Sequence, residues 1–237
     1  MRRALLGYGK MGKTIEKIAQ QRGHEVVLRI NENIEDYNIT QADVAIDFSI
    51  PTAALNNIMT CCRNKIPVIS GTTGWVNDYD KARQTCEEED SAFLYASNFS
   101  IGVNLFFDLN EKLARLMNPF KEYSVEIEEI HHTQKLDAPS GTAITLAEQI
   151  IANSRMNSWQ LDQAGENEIP VFAKRIENVP GTHTISYNST VDTIEIKHTA
   201  HSREGFALGA VIAAEWLKDK TGVYTMKDVL SGIIINL

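Results

Sequence analysis

Residues 131–143, HHTQKLDAPSGTA, gather two adjacent histidines, a lysine, an aspartate and a Pro-Ser-Gly-Thr turn between two apolar segments. Histidine titrates near neutral pH, so His131 and His132 offer donors or a proton shuttle. Lys135 adds a full positive charge from the loop. Pro139 stops regular structure and Ser140 is suited to cap the next helix, which leaves the amides of Gly141 and Thr142 as an anion site at a helix N-terminus. Together these groups suit a small carboxylate that receives a proton. Asp137 reads as a loop-ordering residue, and Glu126, Glu128 and Glu129 as a solvated or interface-facing strand. Neighbouring histidines on a strand face opposite sides and no third ligand stands at a suitable spacing, so no metal is expected.

A second chemical pattern lies near the start. Gly7-Tyr8-Gly9-Lys10-Met11-Gly12 is a GxGxxG turn placed after a strand (Ala4 to Leu6) and opening a helix. The first glycine permits the tight turn, the second lets backbone approach a pyrophosphate, and the third allows close helix packing. The acid that would accept a ribose hydroxyl bond belongs at the end of the second strand, where the chain reads Arg29-Ile30-Asn31-Glu32. Glu32 favours NAD, whereas Asn31 and Arg29 tolerate a 2'-phosphate, so the residues leave NADH and NADPH both open. Gly71-Thr72-Thr73-Gly74 and Ala96-Ser97-Asn98-Phe99 follow two further strands, with small residues and free amides suited to a nicotinamide and its ribose.

The elements that must position these groups alternate. HEVVLRI, ADVAIDFS, KIPVISGTTG and AFLYASNF read as strands, with helices at Ile15 to Ala19, Pro51 to Cys62 and Tyr79 to Glu88 between them. That order predicts a doubly wound parallel sheet. Past Asn98 the style changes to a helix at Val103 to Met117, the alternating strand YSVEIEEI, the helix TAITLAEQIIA, a polar stretch through residue 168, and two strands, TISYNS and TIEIKHTA. This predicts a mixed or antiparallel sheet with one packed face, and a second domain beginning near residue 100. The tail GFALGAVIAAEWLKDK reads as an amphipathic helix able to join either domain.

Bulk properties exclude several classes. The 237 residues carry a net charge of -8 with no Lys/Arg block, which argues against nucleic acid. No apolar run approaches the roughly 20 residues of a membrane span, and the N-terminus lacks a signal-peptide pattern, so a cytoplasmic protein is expected. Cys61, Cys62 and Cys86 form no CxxC pair and read as buried or half-buried thiols.

GYGKMG, GTTG, ASNFSIGVN, HHTQKLDAPSGTA and EIKHTAHSREGFALGA together resemble, end to end, the successive motifs of the 4-hydroxy-tetrahydrodipicolinate (dihydrodipicolinate) reductases of the diaminopimelate route to lysine. The resemblance implies an α/β fold: a Rossmann-type doubly wound parallel sheet plus a central α+β domain with a mixed open sheet. Residues 1–99 with 206–237 would bind dinucleotide, and residues 100–205 would bind substrate and oligomerise, typically as a homotetramer. By the same resemblance His131 is the proton donor/acceptor and Lys135 the second proton donor, while His132 and the Gly141 and Thr142 amides bind the ring carboxylates. Gly7, Tyr8, Gly9, Lys10, Met11, Gly12, Gly71, Thr72, Thr73, Ala96, Ser97, Asn98 and Phe99 hold NADH or NADPH. The domains would close to bring the small cyclic dicarboxylate to the nicotinamide. The glycine turn is one residue shorter than in many relatives, and the ribose-reading position lacks a clear acid. Another amino-acid-pathway dehydrogenase would share the first half of the chain, and a non-catalytic NAD-sensing protein would need the glycine turn alone; neither uses the 131–142 cluster.

Overall fold

The computed structural model describes residues 1–31, 37–202 and 204–234. The chain divides into two compact units, Met1–Ile101 with Glu204–Leu237, and Gly102–Arg203.

In the first unit, β1 (Arg2–Leu6), β2 (Glu25–Ile30), β3 (Val44–Asp47), β4 (Val68–Ser70) and β5 (Ala92–Tyr95) alternate with α1 (Lys10–Gln21), α2 (Pro51–Arg63) and α3 (Tyr79–Glu88). With a late strand, β11 (Gly222–Tyr224), they form a parallel sheet in the order β11-β5-β4-β3-β1-β2. Its central strands are continuous apolar runs because both faces are covered. Leu5, Val44, Ile46, Ile69 and Leu94 point into one core with α1, α6 (Glu204–Leu217) and α7 (Met226–Ile234). Ala4, Leu6, Ala45, Val68 and Phe93 point into the other, with α2 and α3. The period-two alternation of a strand distributes side chains in this way. Cys61, Cys62 and Cys86 are free and buried in the second core.

The second unit holds α4 (Ile101–Met117), β6 (Ser124–His131), α5 (Gly141–Asn153), β7 (Ser158–Leu161), β8 (Glu168–Arg175), β9 (Gly181–Asn188) and β10 (Thr193–Ala200). The strands lie in the order β10-β9-β6-β8-β7, with β9 antiparallel to both neighbours and the β6, β8 and β7 pairings parallel. Ile127, Ile169, Val171 and Ile185 bury against Phe106 and Ala114 of α4 and Leu146, Ala147 and Ile150 of α5.

Five elements depart from expectation. β7 and β8 run through and past the stretch read as polar. Pro170 removes a ladder donor and disguises β8, yet Ile169 and Val171 on either side are fully buried. β11 and α7 were not expected. α6 is not amphipathic: Ala207, Ala210, Val211, Ala213, Ala214 and Leu217 are all fully buried, because it packs between α1 and strands β3, β4 and β5. Among the described residues no helix is long and apolar enough to cross a membrane.

Candidate active site

At the carboxyl end of β1 each glycine meets a different constraint. Gly7 has φ +95°, and a Cβ there would stand 2.0 Å from the Phe48 carbonyl oxygen. A Cβ on Gly12 would stand 2.3 Å from the Gly7 oxygen, whereas one on Gly9 would meet nothing within 4 Å. The middle glycine thus faces open space at the start of α1, the helix end that attracts anions. Lys10 and Met11 form the first turn of α1. A cavity of about 210 Å³ is lined here by Gly7, Tyr8, Gly9, Asn31, Phe48 and Ser49, among others.

Beneath the neighbouring loops lies a residue that sequence reading missed. Asp47, at the end of β3, is fully buried and accepts from Ser49 Oγ (2.7 Å), Asn57 Nδ2 (2.9 Å), Ser70 Oγ (2.7 Å) and Thr72 Oγ1 (2.8 Å). Burial raises its carboxyl, and the four donors oppose that shift. Thr72 Oγ1 also accepts from the Ser49 amide at 2.8 Å. Its hydroxyl therefore ties two strand-end loops together instead of facing a ligand. Gly71 is required because a Cβ would meet the Phe48 ring at 2.3 Å; Thr73 is exposed. Ala96 donates its amide to Ser70 O at 3.2 Å, and Asn98 Oδ1 accepts from the Ser100 amide at 2.9 Å. Ser97 is exposed, whereas Phe99 is a core residue whose ring lies 5.6 Å from that of Phe48.

Arg29, one of the candidate ribose readers, is engaged. Its guanidinium donates to Glu16 on α1 through Nε (3.1 Å) and Nη2, and the Tyr8 hydroxyl donates to the same carboxylate. Asn31 lines the cavity, and Glu32 lies outside the described residues.

In the second unit β6 places Val125, Ile127, Glu129 and His131 on its buried face. Glu129 has no solvent exposure, which corrects the expectation of a solvated carboxylate. Arg175 donates to Glu129 Oε1 through both terminal nitrogens at 3.2 Å, and the Ser140 amide donates to Oε2 at 3.0 Å. His131 Nδ1 lies 3.5 Å and His183 Nε2 3.7 Å from Oε2, and the two imidazoles meet edge-on at 5.0 Å. Burial would raise the Glu129 carboxyl, but His183, the Ser140 hydroxyl and amide, and His131 outweigh it and hold the group down at about 2. Burial pushes His131 down to about 4; Glu129 opposes this, while His183, Lys135 and Arg175 add to it. His131 is therefore a neutral imidazole near pH 7.

Ser140 caps α5 by accepting from the Ala143 amide at 3.2 Å and contacts His183 Nε2 at 3.2 Å. Gly141 is exposed and a Cβ there would meet nothing within 4 Å, while Thr142 is half-buried, so the first turn of α5 is open to an anion. Lys135 Nζ donates to both Asp137 oxygens at 2.9 and 2.7 Å, in keeping with Asp137 as a loop-ordering residue. Arg175 donates to the carbonyls of Lys135 (3.3 Å) and Asp137 (2.6 Å), fastening the loop to the Glu129 cluster. His132 lies past the strand end, its Nδ1 buried and unpartnered, and lines a cavity of about 520 Å³ with Thr133, Gln134, Ser202 and residues 177–180. Arg175 and His183 were missed because each is an ordinary strand residue far away in sequence.

Glu129, His131 and His183 also bring three ligand atoms within 4.8 Å of one another, a metal-like grouping that the pairing of His131 with His132 did not foresee. Local charge opposes a cation: both Glu129 oxygens already accept hydrogen bonds, and Arg175 and Lys135 lie beside the cluster.

A glycine turn at the carboxyl end of a parallel strand, with a separate buried acid–base cluster, defines an oxidoreductase that uses a pyridine nucleotide. The chain belongs to the dihydrodipicolinate reductase family: residues 1–99 match its N-terminal part and residues 102–230 its C-terminal part. It is 63% identical over 236 residues to the 4-hydroxy-tetrahydrodipicolinate reductase of Christiangramia forsetii, covering 98% of this chain and 99% of the relative. The corresponding reductase of Neisseria gonorrhoeae is 36% identical over 227 residues, covering 91% of this chain and 83% of the relative. The fold is shared with a dipicolinate-bound dihydrodipicolinate reductase from Paenisporosarcina sp. TG-14, with a TM-score of 0.79 and 23% identity over 95% of this chain and 97% of that one.

Proposed function

We propose that the chain reduces 4-hydroxy-tetrahydrodipicolinate to tetrahydrodipicolinate with NADH or NADPH, in the cytoplasmic route to diaminopimelate and lysine. The observation that carries this reading is the tie between His131, the Lys135 loop and the α5 N-terminus through Glu129 and Arg175. It sets an acid–base pair beside an open anion site, as reduction of a dicarboxylated imine requires.

In this reading Gly7 to Gly12 hold the pyrophosphate, and the Gly71 to Thr73 and Ala96 to Phe99 loops hold the nicotinamide ribose through their amides, with Asp47 as the support beneath. Residues 1–99 with 206–237 then carry dinucleotide, and residues 100–205 carry substrate. The Gly141 and Thr142 amides and His132 take the two ring carboxylates. Loss of the 4-hydroxyl as water gives a conjugated imine; hydride from the nicotinamide adds at ring C4, and the resulting enamine takes a proton from the His131/Lys135 pair. The dianionic substrate favours proton uptake by His131, which burial keeps neutral in the free protein. Lys135 must exchange Asp137 for the substrate. Positioning and electrostatics supply most of the rate.

The Glu16–Arg29 pair leaves a 2'-phosphate without a free guanidinium, so both nucleotides serve and NADH serves better. Self-association, as a tetramer, uses the face of the second sheet away from α4 and α5, where Glu126, Glu128 and Lys174 stand; light scattering reporting a monomer contradicts it. Loss of reduced-nicotinamide absorbance on addition of enzymatically generated 4-hydroxy-tetrahydrodipicolinate tests the activity. Nucleotide binding without turnover points instead to a sensor or a dehydrogenase of another substrate.

A further inference from the structure

Glu129 occupies a core-facing place on β6, after Val125 and Ile127 and before His131. Burying a carboxylate is costly unless its partners compensate. Two do: Arg175 grips Oε1 and the Ser140 amide grips Oε2. The remaining side of Oε2 faces His183 Nε2 at 3.7 Å and His131 Nδ1 at 3.5 Å, and the His131 nitrogen is buried with no hydrogen-bond partner. Catalytic hydrogen bonds are often long before substrate arrives and tighten in the complex.

Among the described residues the charged or titratable groups facing His131 are Glu129 on its own strand, His183 on β9, Arg175 on β8 and Lys135 on the loop. Of these, Glu129 favours a proton on the imidazole and the other three oppose it. Filling space would not need the charge, because glutamine has the same shape and can still accept from Ser140.

We propose that Glu129 is the positioning residue of this acid–base site, acting as counter-ion to protonated His131 when the dicarboxylate is bound and fixing the Lys135 backbone through Arg175. The proposal rests on the roles given above to His131 and Lys135. The proton enters His131 from solvent on substrate binding and leaves for the ring after hydride addition, returning the imidazole to neutral; Glu129 stays ionised throughout. Without the Glu129 charge His131 holds its proton less well, so the limb of activity that needs protonated His131 moves to lower pH.

The test compares wild type with Glu129→Gln, Glu129→Asp and His131→Asn, measuring kcat and KM across roughly pH 5 to 9. Glu129→Gln should lower kcat at least about tenfold, leave KM for the reduced nucleotide unchanged and shift the alkaline limb to lower pH, with Glu129→Asp recovering part of both. Wild-type kcat and limb in Glu129→Gln overturn the proposal, as does an equal loss in both variants with the limb unmoved, which would mark a packing role. His131→Asn at full turnover overturns the underlying assignment of His131 instead. Should Glu129→Gln fail to fold, nitrogen NMR of the wild-type histidines with bound pyridine-2,6-dicarboxylate decides. One doubly protonated imidazole near neutral pH, missing in His131→Asn, is expected; its absence overturns the proposal.

Discussion

Replacing Gly209 with alanine should destabilise the first unit and weaken nucleotide binding, although the same change in an open helix interior does the opposite. Alanine is favoured over glycine within a helix by about 0.8–1 kcal/mol. Gly209 lies inside α6, however, and an added Cβ would stand 1.7 Å from the Phe99 carbonyl oxygen and 2.8 Å from its carbon. Ordinary carbon–oxygen contacts lie at about 3.3 Å or more. Both obstructing atoms are backbone, so no rotamer change relieves the clash and α6 must retreat by roughly 1.5 Å. Overpacking of this kind costs about 1–3 kcal/mol, and retreat also loosens Ala210 and Ala213 from the core. The clash wins, leaving a net loss of about 1–2 kcal/mol and a Tm lower by roughly 3–8 °C. Because Phe99 ends the loop that begins at Ala96, nucleotide affinity should fall several-fold with it. Gly205→Ala in the same helix is the control: its Cβ would meet only Ser100 Oγ, at 3.7 Å, so stability should hold or rise slightly. Thermal unfolding and nucleotide titration of both variants check this. Gly209→Ala melting at or above wild type, in step with Gly205→Ala, would mean that the contact with Phe99 does not constrain α6.

Lys135→Ala should lower kcat by about a hundredfold or more while leaving nucleotide Kd unchanged, as steady-state kinetics and titration would show. Glu16→Gln releases Arg29 from its carboxylate, so the kcat/KM ratio for NADPH over NADH should rise; an unchanged ratio would remove Arg29 from the specificity argument. Glu215 accepts from Arg22 at 2.7 Å, and His24 and Arg3 lie beside it. Burial alone would raise its carboxyl, but Arg22 and His24 hold it at about 2, below its ordinary 4.5. A carboxyl depressed on folding contributes fully above its unfolded value and loses that contribution as pH falls. Wild-type stability should therefore decline from about pH 4.5 toward 2 more steeply than that of Glu215→Gln, measured by urea unfolding at each pH.

The parallel sheet was legible because buried strands write themselves as short apolar runs, and GYGKMG marks the turn that the first of them must make. Asp47 was not, since a carboxylate ending an apolar strand has the same appearance whether it meets solvent or four donors. Glu129 shows the limit of pattern more sharply. Apolar side chains alternate through Val125 and Ile127, and the next core-facing place holds a carboxylate, so the break in alternation at Glu129-Ile130 was the signal of a buried charge. Its partners, Arg175 and His183, come from strands whose register with β6 no local spacing encodes: His131 pairs with Arg175, and Glu129 with His183. The depressed affinity of His131 for a proton follows from that packing, which residue type alone does not reveal.

In the proposed reaction hydride passes from a reduced nicotinamide to C4 of the cyclic dicarboxylate. The most direct measurement supplies nucleotide deuterated at the transferred position and locates the label in the product by NMR and mass spectrometry. The expected product is tetrahydrodipicolinate carrying one deuterium at C4, formed in step with nucleotide oxidation. Oxidation of the nucleotide with no deuterium at C4 would contradict that reaction.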